Sequence, residues 1–261
     1  MFSLVWGLVK RVYLRYYSRM ILSILKTIFY QPLYNGFILG LSLFPGISVG
    51  VIVILLTLLV RTILLPFSHK SVVSQAKMRA IAPKIEGIKE QYKDDKQEQA
   101  RKTMELYKEH GVNPFSGCLV ILIQLPVLFS LYYVFSKGLT SLNGDVLYSF
   151  VHLPTVVEMS FLGIVLSGKS VILAALAAVS QYFQIKLSVP PVAPLVEGVK
   201  PTFKDDFARS FSSQMKYMLP IIVFGISYSI SAAVALYWAT SNTFSVVHEL
   251  YVKRKAEEIL A

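Results

Sequence analysis

The sequence predicts an all-α polytopic membrane protein. Five transmembrane helices surround a hydrophilic groove, with a cytoplasmic antiparallel helical hairpin and an N-terminal interfacial helix. Three observations carry this reading. Of 261 residues, 54% are hydrophobic and 16% charged, and the mean hydropathy is +0.57, as in a chain that lives largely in lipid. Apolar runs long enough to cross a hydrocarbon core of about 30 Å recur along it. One of them, Gly46 to Phe67, carries Arg61, and Ile63, Leu64, Leu65 and Phe67 still follow that charge.

The net charge is +11, from 26 Lys and Arg against 15 Asp and Glu. In a polytopic chain such a surplus belongs to cytoplasmic loops and anionic lipid, so no reading of nucleic acid is implied. The single cysteine, Cys118, excludes an internal disulfide and reads as a small packing residue. His69, His110, His152 and His248 are scattered and form no metal-ligand pattern.

In chain order, residues 1–45 form a basic segment and an interfacial helix. Lys10, Arg11, Arg15 and Arg19 follow apolar residues rather than preceding them, the wrong order for a cleaved signal peptide. Residues 21–43 contain Lys26, Gln31, Pro32 and Asn35 and read as amphipathic or re-entrant, with a sixth span as the alternative. The first span is 46–67. Segment 68–113 changes character, with ten basic and seven acidic residues between Ser68 and Gly111. Met78, Ile81, Ile85, Ile88 and Tyr92 form one helical seam, and Gln97, Ala100, Met104 and Tyr107 a second. Two antiparallel helices standing in water account for both, serving as a docking element or as a connector. Pro83 should kink the first arm or set its start.

The second span is 115–136, holding Gln124 and Pro126. An irregular external connection, 137–168, follows. The third span, 169–188, contains Ser180, Gln181 and Gln184. Residues 189–213, with Pro190, Pro191, Pro194 and Pro201, read as a cytoplasmic loop. The last apolar block divides near Ser229-Ile230-Ser231 into spans 214–230 and 232–251, and 252–261 is a cytoplasmic tail. The loops at 68–113, 189–213 and the tail hold most of the basic residues, which places them and the C-terminus in the cytoplasm and the N-terminus outside. The basic residues before residue 27 pull the other way unless 21–43 crosses the membrane.

An arginine inside a span costs at least about 2.5 kcal/mol and marks a polar cavity by default. Snorkelling is the alternative, but the apolar residues beyond Arg61 argue against it. Gln124, Gln181, Gln184, Thr57, Thr62, Ser227, Ser229, Thr240, Ser241 and Asn242 add amides and hydroxyls in or beside the spans. Together with Arg61 they suggest a wet groove that hydrates the guanidinium without neutralising it. The first four spans hold no acid, and an unpaired cation in low dielectric attracts passing carboxylates strongly. Tyr237 and Trp238 read, from the residues alone, as interfacial belt aromatics. No paired aspartate, Ser–His pair or His-Glu zinc motif lies in the spans, so the chain is not expected to be an enzyme.

Several ordered stretches resemble the YidC-type membrane protein insertases: ILLTLLVRTILLPF, VNPFSGC, LIQLPVLFSLYYV, AALAAVSQYFQIKL, MKYMLP and ALYWATSNTFSVV. The resemblance covers about 20–255 and implies an insertase or chaperone of the plasma (inner) membrane. It implies a groove open to cytoplasm and lipid, with Arg61 its essential charge and Gln181 and Trp238 lining it. The expected site is therefore Arg61, Gln124, Gln181, Trp238, Gln184, Thr62 and Tyr237. A nascent membrane protein would place its polar tail against Arg61 and slide its apolar segment into lipid. No cofactor is expected, since burial of the substrate helix drives the step. The ribosome and a Sec translocon are candidate partners, alongside membrane lipids. Val120, Ser231 and Ala233 stand where the family has other residues, which bears on local helix breaks and not on the groove. A secondary transporter or channel subunit is the competing class, but the two halves show no repeat. A non-catalytic membrane assembly factor would look the same without a groove.

Overall fold

The computed structural model describes residue 20 and residues 23–113, 116–137, 144–188 and 203–260. The basic segment before residue 20 and the four prolines of the 189–213 segment lie outside the described residues, as does the Cys118 side chain. The chain is mostly helical. A π-helical turn, Lys26–Tyr30, leads into α1 (Gln31–Leu43). Then come α2 (Val49–Ile63), α3 (Leu65–Ala80), α4 (Ala82–Gln91), α5 (Lys96–Glu109) and α6 (Ser116–Lys137). A two-stranded antiparallel sheet, β1 (Ser160–Phe161) and β2 (Ile164–Val165), precedes α7 (Val171–Ser188), α8 (Phe203–Ser229) and α9 (Ala232–Leu260). By length and composition α7 can cross a membrane alone, and α2 with α3 passes the same test as a pair bent by 65°.

The first span is the clearest departure from a straight helix over 46–67. Ser48 caps α2, its hydroxyl accepting from Gly50 N at 3.1 Å. The helix stops at Ile63 because Pro66, in the first turn of α3, has no N–H to continue the ladder. Everything beyond Leu64 turns away, so Arg61 occupies the last turn of α2.

The main core gathers α1, α2, α6 and the start of α9. Tyr34, Phe37, Ile38, Val49, Val53, Leu131, Val134, Phe135 and Ala232–Tyr237 are buried there. Phe37 meets Phe135 edge-on at 5.6 Å. Helix α1 thus packs one face, Tyr34, Phe37, Ile38 and Leu41, into the bundle. Asn35, also buried, clips α1 to the connection between α6 and α7: its amide donates to Val146 O at 3.0 Å and its carbonyl accepts from Tyr148 N at 2.7 Å.

That connection is more ordered than its composition suggests. Val146, Val151 and Leu166 are buried. Val49 N donates to Glu158 O at 2.9 Å, Ala232 N to Gly168 O at 2.7 Å and Ala233 N to Leu166 O at 3.1 Å. Orphan N–H groups at the starts of α2 and α9 are thereby satisfied by the segment that covers them. Phe161 lies so close to Gly50 that an added Cβ would sit 2.3 Å from its ring.

The hairpin forms as two short helices, with Pro83 in the first turn of α4 and Asp95 capping α5 through Gln97 N and Glu98 N at 3.1 and 3.0 Å. Ile81, Leu106 and Val112 are its buried centre, with Met78, Ile85, Ile88 and Tyr107 packed around them. The first seam matches the sequence expectation from Met78 through Ile88. The second does not: Gln97, Ala100 and Met104 are exposed, and Leu106 takes the inward position. Its surroundings are too polar for composition to fix the helix phase. Two further boundaries differ. Helix α8 starts at Phe203, inside the segment expected to be loop. Helix α9 continues through the expected tail to Leu260, because Lys253 to Glu258 contains only helix formers.

Candidate functional site

Tyr237, Trp238, Ser241 and Asn242 share one face of α9, since residues three and four apart on a helix are neighbours. That face meets α2, α6 and α7. From α2, Arg61 donates through Nε to Ser241 Oγ at 2.8 Å, and its Nη2 also bonds that oxygen. From α6, Gln124 Nε2 donates to the Tyr237 hydroxyl at 2.9 Å. Tyr237 and Ser241 stand one helical turn apart on α9. Arg61, Ser241, Tyr237 and Gln124 are thus two bonded pairs joined through that turn into one polar set. Arg61 is half-buried, and among the described residues it is paired with no carboxylate.

From α7 comes a second, amide-rich line. Gln181 Oε1 accepts from Trp238 Nε1 and from Asn242 Nδ2, each at 3.1 Å, and Asn242 also reaches Ser180 Oγ at 3.2 Å. Gln181 Nε2 passes to Gln184 Oε1 at 3.0 Å, and Gln184 Nε2 to Ser188 Oγ at 3.2 Å. The line ends on a charge: Ser188 Oγ donates to Glu249 Oε2 at 2.7 Å. Glu249 is 3% exposed and faces Arg79 Nη2 at 3.3 Å and Lys253 Nζ at 3.7 Å. Arg79 also donates to the Leu187 carbonyl, so α3, α7 and α9 meet at this node.

Six of the seven expected site residues thus fall into these two connected sets. Trp238 and Tyr237 are inward hydrogen-bonding groups rather than belt aromatics. Thr62 is the exception. With Arg61 turned toward α9, the next residue, about 100° further round the helix, is exposed, and its hydroxyl closes on its own Leu58 O at 2.8 Å. Thr62 thus stands outside both hydrogen-bonded sets. Ser241 and Asn242 were legible as polar span residues, and their i,i+4 spacing from Tyr237 and Trp238 was the signal that they belong with them. Ser188 and Glu249 were not expected in the site. An acid within the last apolar block was the available signal for the second.

Chemically the arrangement offers one fixed guanidinium backed by hydroxyls and amides. Hydroxyls orient such a cation without neutralising it, and its five N–H donors suit a carboxylate. The described residues contain no group of three or more His, Cys, Asp or Glu able to hold a metal ion.

Comparison with known proteins extends this picture. Residues 40–258 match the family described as 60Kd inner membrane protein. The membrane protein insertase YidC of Clostridium tetani is 32% identical over 221 residues, covering 84% of this chain and 88% of that protein. The insertases of the same name from Francisella philomiragia and Francisella tularensis subsp. novicida are 32% and 33% identical over 205 residues, 78% of this chain. The chain spans about a third of the length of those two, 32% in each case.

Proposed function

Because the chain belongs to the 60Kd inner membrane protein family, that of the YidC insertases, we propose that Arg61 works as an intramembrane receptor for acidic tails of nascent membrane proteins. The family is one of insertases rather than enzymes. In this reading five spans, formed by α2, α6, α7, α8 and α9, enclose a groove open to cytoplasm and lipid. The hairpin and the C-terminus lie in the cytoplasm. A polar tail enters the groove, its carboxylate meets Arg61, and the adjoining apolar segment moves into lipid past the exposed Leu55, Leu58, Leu59 and Ile63 of α2. Burial of that segment drives the step, at about 25 cal/mol per Å² of apolar surface.

The observation that carries this reading is the state of Arg61: half-buried, held by Ser241, and without a carboxylate among the described residues. A cation kept in that state in low dielectric gains most when a carboxylate arrives. Nascent membrane proteins are the proposed partners, with the ribosome, a Sec translocon and anionic lipid as further candidates for the basic hairpin.

Depletion and rescue tests the proposal. With a single-span substrate carrying an acidic N-terminal tail, Arg61→Ala is expected to abolish insertion and Arg61→Lys to keep most of it. Normal insertion by the alanine variant at native membrane levels contradicts the charge mechanism.

A further inference from the structure

The second arginine of the polar interior differs from the first in one respect. Arg79 sits at the far end of the amide line, facing Glu249 at 3.3 Å, with its Nε buried and unpaired. Glu249 also takes Lys253 at 3.7 Å and Ser188 at 2.7 Å. From Ser241, which holds Arg61, to Glu249 is about 12 Å of helix at roughly 1.5 Å per residue. A tail travelling along α9 toward Arg61 from that end passes the node on its way.

Resting on the reading of Arg61 given above, we infer that Glu249 is a positioning residue with an electrostatic task. It neutralises Arg79, so that an entering carboxylate is not held at the node and goes on to Arg61. An uncompensated guanidinium at a site of such low exposure would bind a passing acid as Arg61 does, and nearer the end of the line. A carboxylate already in place removes that competing site. Among the described residues the same acid has no counterpart at Arg61, where a hydroxyl stands instead. One polar face of α9 therefore carries a neutralised arginine followed by an available one.

The test uses the full chain in proteoliposomes, with two substrates differing only in whether the N-terminal tail carries two acids or none, and a photo-cross-linking residue in each tail. Glu249→Gln is expected to slow the acidic-tailed substrate about fivefold or more. Its cross-links should move from the Arg61–Ser241 region to the Arg79–Leu187 region, with the neutral-tailed substrate unchanged. Adding Arg79→Gln is expected to restore both rate and cross-link position. The double variant carries no uncompensated Arg79 charge, so it can be read even where the single one fails to accumulate. An acidic-tail advantage that the double variant has lost overturns the inference, as does equal slowing of both substrates by Glu249→Gln. Arg61→Gln run alongside separates the two readings. Should it leave the acidic-tail advantage intact, the reading of Arg61 falls and the inference with it. Should the advantage need Arg61 while Glu249→Gln slows both tails alike, only the inference falls.

Discussion

Three arginines occupy three electrostatic settings. Arg101, on the hairpin, lies in water and contacts Glu98 together with Glu105 at 2.9 Å. Arg79 is mostly withdrawn from water and faces the buried Glu249. Arg61 is half-buried and faces Ser241. Acids accompany the two that have structural work, and a hydroxyl accompanies the third. Neutralisation, rather than burial, separates an arginine that holds a fold together from one left available to a ligand.

The comparison breaks most completely if Arg61 is given what Arg79 already has. Ser241→Asp places a carboxylate where the hydroxyl now lies 2.8 Å from Arg61 Nε. Insertion of an acidic-tailed substrate is expected to fall at least about tenfold, the equivalent of roughly 1.4 kcal/mol, at native protein levels. The converse change, Arg79→Gln, leaves Glu249 buried with Lys253 as its remaining basic partner. Breaking a buried pair typically costs about 3–5 kcal/mol, and the surviving lysine puts the expected loss at the low end. Reduced accumulation and a lower melting temperature in detergent are the readouts.

Arg101→Gln sharpens the comparison from the solvent side. Its hydrogen bond to Glu98 holds that carboxyl below the usual carboxylate range. The contribution is therefore present above the ordinary carboxylate range and lost as pH falls through the lowered value. An NMR titration is expected to show Glu98 rising toward its ordinary value in the variant, with Lys102 still holding part of the shift and the neutral-pH melting temperature unchanged. Smallest of all is Thr62→Val. The side chain faces outward and bonds its own helix, so insertion rates should stay within about twofold of native.

Much of this was legible in the sequence because it rests on strong local signals. A charge inside an apolar run marked Arg61, Ser229-Ile230-Ser231 marked the break before α9, and Pro83 marked the start of α4. Gln181 was legible as an amide within a span, whereas Trp238 entered the site only by resemblance, and the structure joins them at 3.1 Å. The rest depended on rotation and on distant partners. Thr62 and Arg61 are adjacent in sequence, and only the phase of α2 decides which one faces α9. Met104 and Leu106 posed the same question in α5, where few apolar neighbours fix the phase. Glu249 gains its meaning from Arg79 and Ser188, both remote in sequence, as does Phe161 from Gly50. Pro66 was the available signal for the bend at Leu64, where the expected span runs through to residue 67 and the two helices instead meet at 65°.

Reversing the charge at the centre of the account gives the most direct measurement. Insertion rates would be taken for matched substrates with acidic, neutral and basic N-terminal tails, using the native chain and Arg61→Glu. The account expects the native chain to favour acidic tails and the variant to favour basic ones. An unchanged order of preference in Arg61→Glu, at equal protein levels, would contradict it.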